Sequence, residues 1–148
     1  MTTAPASRSG RIVAGVDGSP SSLDALVWAA QQAERTGAAL EVLSTWEWPA
    51  SLGWAVPVPD DFDPEGEVRQ ALQAATEPVR ATHPDVQIIT RVVNGHPAPS
   101  LVEASKGADL LVVGSRGHGE FLGMVIGSVS EFCASHAHCP VLVHRATA

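Results

Sequence analysis

Lysine is almost missing from this chain: Lys106 is the only one, and every other positive side chain is an arginine. The formal net charge is -7. Nothing basic is concentrated enough to neutralise a row of phosphates, which excludes nucleic acid as the expected partner and leaves no polybasic patch for a membrane surface. Cysteine is scarce too. Cys133 and Cys139 are the only two and do not form a C-x-x-C pair, so reduced thiols in a cytoplasmic protein are the default expectation. No apolar run approaches the roughly 18–20 residues that span a bilayer. The first residues, MTTAPASRSGR, hold no apolar core of a leader peptide, so residues 1–10 are read as a mobile tail. Internal repeats and low-complexity tracts are absent as well.

What remains suits one domain, 11–148, with a substantial core, since 45% of the 148 residues are hydrophobic. RIVAGVD (11–17) is a short apolar run that reads as a buried strand. In SPSSLDALVWAAQQAERTG, Ser19 caps a helix, Pro20 opens it and Gly37 closes it, with Leu23, Leu26, Val27 and Ala30 on one face. ALEVLSTW (39–46) reads as a second strand. EGEVRQALQAATEPVRATH reads as a second helix, striped by Val68, Leu72, Ala75 and Val79, with Pro78 expected to kink it or end it early. VQIITRVV (86–93) is a third strand and PAPSLVEASKG a short third helix closed by Gly107. ADLLVVGS (108–115) is a fourth strand, SVSEFCASHAH a fourth helix and PVLVHR (140–145) a fifth strand. Between the second strand and the second helix lies a Trp- and Pro-rich segment, 47–64, long enough to be a lid, a binding loop or an excursion.

Strands that alternate with helices imply a parallel sheet, and nearly continuous apolar strands imply helices on both of its faces. The fold class is α/β, a three-layer α/β/α sandwich of Rossmann-like type. In such sheets ligands bind beyond the carboxyl ends of the strands, where the strand order reverses. GVDGS (15–19) follows the first strand and GSRGHG (114–119) follows the fourth; an order 3-2-1-4-5 would set both in one crevice. Gly127 and Ser128 open the fourth helix, whose first N–H groups and dipole attract phosphate. Ser128 and Ser130 add hydroxyls, Gly114 and Gly117 let the loop turn, and Arg116 supplies the cation that a lysine normally would, alone or with a bound magnesium. Asp17 suits ribose hydroxyls or a metal better than phosphate, because like charges repel. Neither G-x-x-x-x-G-K-[ST] nor a dinucleotide fingerprint after the first strand is present. From composition alone, a flexible glycine-rich surface loop stays open as a second reading.

The spacing of Gly114, Gly117, Gly127 and Ser128 is G-x2-G-x9-G-[ST] without a gap. With GVDGS after the first strand and the closing CPVLVHR, it resembles the ATP-binding members of the universal stress protein family, from about residue 11 to residue 145. The resemblance implies a five-stranded parallel sheet in order 3-2-1-4-5 and a bound ATP, alone or with Mg2+. It implies that Asp17 contacts ribose, that Thr45 presents its backbone to adenine, and that Gly15 and Val16 flank the base. Gly114, Arg116 and Gly117 would sit beside ribose and phosphates; Gly127, Ser128, Val129 and Ser130 would bind the phosphates. It also implies a cytoplasmic, nucleotide-dependent regulator of a stress response with little turnover, paired as a homodimer through the last strand at Val141, Leu142 and Val143. As an exposed edge that strand is apolar and uncharged, and Leu142 is taken as its central outward donor. The competing function is a slow ATPase, or an enzyme that phosphorylates its own Ser128 or Ser130; a plain dimeric interaction module is a third.

Other residues carry two readings each. His136, His138 and Cys139 suggest a metal, but histidines near a helix end more often meet its last carbonyls. His118 is set against phosphate or solvent, and His96 is placed in the turn before the third helix. Cys133 is read as a helical core residue rather than a redox thiol. Trp46, Trp48 and Trp54 stack on a base or a partner, or pack within their own loop. Asp60, Asp61 and Asp63 form a solvated loop or hold a divalent ion. No nucleophile elbow accompanies Ser115, His118 and Asp17, so a hydrolase triad is not expected.

Overall fold

The computed structural model describes residues 10–48, 58–116 and 127–145. The tail 1–9 and half of the Trp- and Pro-rich segment (49–57), with Trp54, lie outside them, as do Gly117 and His118. Among the described residues nine elements alternate: β1 Arg11–Gly15, α1 Pro20–Thr36, β2 Ala39–Trp46, α2 Pro64–Thr82, β3 Ile88–Asn94, α3 Pro97–Ala104, β4 Leu110–Gly114, α4 Ser128–His136 and β5 Val141–His144. All strand pairs are parallel and the order is β3-β2-β1-β4-β5. The expected fold class and strand order are both present.

Side chains alternate across a strand, and that alternation builds two cores. Ile12, Ala14, Leu40, Val42 and Val112 face α1 and α2, where Leu26, Leu72 and Val79 close over them. Val13, Leu43, Leu111 and Val113 face α3 and α4 and pack on Leu101 and Cys133. The central strands are therefore buried on both sides, which is why they read as unbroken apolar runs.

Two helix readings need correction. In α1 the buried face is Ala25, Leu26, Ala29, Ala30 and Ala33, while Val27 stays 44% exposed. Small side chains bring the helix close to the sheet, so alanines mark most of the contact; Leu23 packs at its margin and only Val27 of the expected face is turned out. The caps do stand as read: the Ser19 hydroxyl accepts from Ser22 N at 3.3 Å, and Gly37 takes φ 76°. In α2, Pro78 does not end the helix, which runs on to Thr82. Proline removes one intrahelical bond, but Thr76 and Val79 on either side of it are locked into the core. Asp63, read as part of an acidic loop, caps α2 by accepting from Gly66 N at 3.0 Å.

Candidate functional site

β1 and β4 are neighbours whose connections leave in opposite directions, and a cavity of about 510 Å3 opens above their carboxyl ends. Gly15, Val16 and Asp17 line it from β1, Thr45 from β2, and Gly114 and Arg116 from β4. Gly127, Ser128, Val129 and Ser130 line it from the start of α4. Of the expected site residues, only Gly117 lies outside the described ones.

Each side chain is fixed by local structure. After β1 the chain turns at Gly18, with φ 85°, a region that glycine enters without strain. The Asp17 carboxylate accepts from Ser19 N at 2.9 Å and from the Ser19 hydroxyl at 2.6 Å, so it is held at the cavity rim. Val16 is pinned on both sides: its N–H donates to Leu43 O at 2.9 Å and its carbonyl accepts from the Ser44 hydroxyl at 2.7 Å.

Thr45 owes its backbone exposure to strand parity. In β2, Leu40 donates toward β3 and Trp46 accepts from Gly95 N, so even-numbered residues point to β3. Leu43 accepts from Val16, so odd-numbered residues point to β1. The last β1 residue paired with β2 is Gly15, opposite Leu43. The Thr45 N–H and C=O therefore point to the side on which β1 has ended, into the cavity.

At the phosphate-like end, the first turn of α4 leaves N–H groups without intrahelical acceptors. Glu131 N already bonds to Gly127 O at 2.9 Å, and Gly127 N is taken by Ser115 O at 2.5 Å. The N–H groups of Ser128, Val129 and Ser130 are the ones that this helix start offers. Gly127 is extended, with φ -79°, so its use is the missing Cβ rather than a special backbone angle. Ser130 departs from expectation. Its hydroxyl donates to Gly114 O at 2.5 Å and the residue is 3% exposed, so its backbone and not its hydroxyl is available. Ser128 is exposed.

Gly114 serves packing as well. A Cβ there would lie 2.5 Å from Ser21 Oγ and 2.8 Å from the Ser21 carbonyl carbon and oxygen. The start of α1 leans on the end of β4, and Arg116 N donates to the same Ser21 hydroxyl at 3.3 Å. The sequence reading missed the apolar wall opposite. Val68, Ala71, Leu72 and Ala75 of α2, with Pro97 and Leu101, complete the cavity. The α2 stripe was visible, but Val68, Ala71, Leu72 and Ala75 also border the cavity, while Leu72 belongs to the core as well.

The remaining candidates resolve locally. His136 Nδ1 lies 3.0 Å from Phe132 O, and its ring stacks on Phe132 at 4.1 Å, as a histidine at a helix end does. Among the described residues no group of three or more His, Cys, Asp or Glu is placed to hold a metal ion. Cys133 is fully buried, and burial pushes its thiol from 9.0 up to about 11. Trp46 and Trp48 meet edge to face at 5.5 Å, and Trp48 meets Phe62 at 5.8 Å, which is packing within their own segment. His96 sits at the N-cap of α3 and faces Glu47 at 3.0 Å.

Comparison with known proteins decides the family. The Universal stress protein family pattern matches residues 9–145. The chain belongs to the universal stress protein family. A universal stress protein of Mycolicibacterium smegmatis is 38% identical over 135 residues, which is 90% of this chain and 45% of that protein. The chain spans about half the length of the curated relatives it matches. Universal stress protein UspA from Lactobacillus plantarum superposes with a TM-score of 0.77 at 23% identity, over 95% of this chain and 100% of its own. A universal stress protein solved in complex with cAMP superposes with a TM-score of 0.72 at 29% identity, again over 95% of this chain and 100% of its own. No helix among the described residues is long and apolar enough to cross a membrane.

Proposed function

We propose that this universal stress protein domain binds an adenine nucleotide, ATP with Mg2+, and acts as a nucleotide-dependent regulator with little or no turnover, in the cytoplasm and as a homodimer. One observation carries the reading. A single cavity joins a strand backbone with outward N–H and C=O groups, at Thr45, to a helix start with outward N–H groups, at Ser128–Ser130. The first suits the hydrogen-bonding edge of a base, and the second suits phosphate. The apolar wall of Val68, Ala75 and Leu101 suits the faces of an adenine ring, and Asp17 at the rim suits ribose hydroxyls.

The donor set fits this ligand, although it is poor in charge. Arg116 is the one cation among the described residues that line the cavity. The interval 117–126, GHGEFLGMVI, contains no lysine or arginine. Mg2+ usually binds through one or two carboxylates together with phosphate oxygens, and Asp17 and Ser128 are the oxygen ligands on hand. When bound, the ion would neutralise phosphate charge. The cAMP complex of the 29%-identical relative supports a nucleotide in general without fixing the number of phosphates.

No described side chain in the cavity is an evident general base for a water at a terminal phosphate, which favours regulation over catalysis. If phosphoryl transfer to the protein occurs, Ser128 is the better acceptor, because the Ser130 hydroxyl is engaged by Gly114. Mass spectrometry of nucleotide released by denaturing the purified protein tests the ligand directly. Calorimetric titration with ATP, ADP, AMP and cAMP, with and without Mg2+, then ranks them. Gly127→Ala, Gly117→Ala and Asp17→Ala should each weaken ATP binding while keeping the fold; wild-type affinity in all three removes the assigned site. Turnover should stay below the roughly 1–10³ s⁻¹ of ordinary enzymes. Faster Mg2+-dependent hydrolysis, lost in Gly117→Ala, would make the protein an ATPase.

A further inference from the structure

The sheet has a second edge. β3 is seven residues long and, among the described residues, pairs only with β2, whereas β5 has four residues. The parity argument fixes which groups of β3 are open. Leu40 N bonds to Gln87 O and Gly95 N bonds to Trp46 O, so odd-numbered residues of β3 turn to β2. The N–H and C=O groups of Ile88, Thr90, Val92 and Asn94 point away from the sheet. No proline interrupts the strand, and its single charge is Arg91.

One face of β3 is also only partly covered, since Val93 packs against the core beside α3 while Ile89 is exposed. α2 covers the side of Ile88 and Val92. On the other side α3 packs over β1 and β2. That leaves Ile89 41% exposed, Val93 half-buried, and a groove of about 560 Å3 between β3 and α3. A charge ladder crosses the groove floor. Glu41, 5% exposed, receives Arg11 Nη1 at 2.7 Å on one oxygen and Arg91 Nη1 at 2.5 Å on the other. Arg11 is used up further, since its Nη2 donates to Lys106 O at 2.7 Å. Lys106 is itself paired with Glu103 at 3.1 Å. Two arginines thus share one carboxylate. The excess positive charge sits on Arg91, whose side chain is 50% exposed and whose Nε and Nη2 have no partner among the described residues.

We propose that the β3 edge is a docking site for an extended segment of a protein partner, added as a sixth strand, with an acidic residue opposite Arg91 and apolar residues two positions to each side. Strand addition takes its affinity from main-chain hydrogen bonds and its specificity from alternate side chains. On the α3 face those alternate neighbours are Ile89, Arg91 and Val93, which select apolar, acidic and apolar residues in turn. Charge complementarity disfavours a second copy of this chain in the register centred on Arg91. Two antiparallel β3 strands centred on Arg91 would set the arginines against each other, and like charges directly opposite destabilise a pair.

Fluorescence anisotropy tests this with two labelled peptides, Thr-Val-Thr-Glu-Thr-Val-Thr and its central Lys counterpart. The Glu peptide should bind about five- to ten-fold tighter than the Lys peptide. Thr90→Pro removes an outward donor without touching the β2 ladder, a place where edge strands tolerate proline, and should abolish binding of both. Arg91→Leu should keep the main-chain binding and lose the preference for Glu; unchanged thermal unfolding controls for the fold of each variant. The proposal is overturned if neither peptide binds at about 1 mM, if both bind equally to wild type, or if Thr90→Pro binds as wild type does. It is also overturned if sedimentation shows that Thr90→Pro converts an associated wild type to monomer, which would assign the edge to a second copy.

Discussion

Gly114→Ala should destabilise the protein even without ligand, because the first glycine of the phosphate-like motif also permits a helix to touch a strand end. The added methyl carbon would sit 2.5 Å from Ser21 Oγ and 2.8 Å from two Ser21 backbone atoms. The hydroxyl can rotate away; the backbone carbonyl belongs to the first turn of α1 and cannot move without the helix. Overpacking of this kind costs about 1–3 kcal/mol, offset in part by the lower chain entropy of alanine in the unfolded state, about 0.4–1 kcal/mol. An unfolding entropy of roughly 2.1 cal/mol/K per residue makes each kcal/mol worth about 3 °C in a chain of this size. Differential scanning calorimetry of the ligand-free protein should therefore show Tm lowered by about 4 °C at the middle of these ranges, and by at most roughly 8 °C. Gly15→Ala is the control. Its methyl would meet only Leu101 Cδ1 at 2.8 Å and Cδ2 at 3.0 Å, the tips of a side chain that can swing aside. Gly114→Ala combined with Ser21→Ala should recover only part of the loss, since the backbone contacts persist. A Gly114→Ala protein melting within about 1 °C of wild type would show that the helix start yields freely, and the packing role would be wrong.

Thr45→Pro deletes an N–H that points into the cavity and leaves the β2–β3 ladder whole, so ATP affinity by calorimetry should fall roughly two- to ten-fold, the worth of one hydrogen bond; an unchanged affinity would take the base away from β2. The proposed β5 dimer is tested by Val143→Pro: Leu111 N bonds to Pro140 O and Ser115 N to His144 O, so Leu142 faces β4 while Val141 and Val143 face outward. Sedimentation equilibrium should give a dimeric wild type and a monomeric Val143→Pro; a monomeric wild type would refute that interface. Cys133 keeps its proton in the native protein up to about pH 11 but loses it near 9.0 when unfolded. Its contribution to stability is thus whole below pH 9 and declines as pH rises from 9 toward 11; urea midpoints of wild type and Cys133→Ala should converge or cross over that window, and parallel curves would contradict the burial effect.

Much of this was legible in the sequence. Alternating strand and helix signals are local features, and they sufficed for the parallel sheet; its order and residues such as Thr45 came from the family resemblance that the glycine spacing carries, and the described ones line the cavity. Facing was less legible. Periodicity identifies apolar residues but cannot say that α1 would present its alanines to the sheet and leave Val27 outside, because the choice depends on how closely the helix approaches. Strand parity belongs to a pair of strands and not to either alone. That is why Leu142 read as an outward donor; the Ser130 hydroxyl read as a ligand group because its bond to Gly114 O joins two segments far apart in the chain. Val68 and Ala75 escaped notice as cavity residues because a stripe looks the same whether it meets a strand or a ligand.

The bonds from Gly127 N to Ser115 O and from the Ser130 hydroxyl to Gly114 O fasten the first turn of α4 directly to the end of β4. The position of that turn is then set by its anchors and not by the number of residues between them. Closing a longer loop across fixed ends is cheap, about 0.6 kcal/mol for each doubling of length. The side chains between Gly117 and Gly127 can thus be exchanged, in evolution or by an engineer, while the anion-facing end of the helix stays where it is. Specificity can drift in the span without the socket being rebuilt.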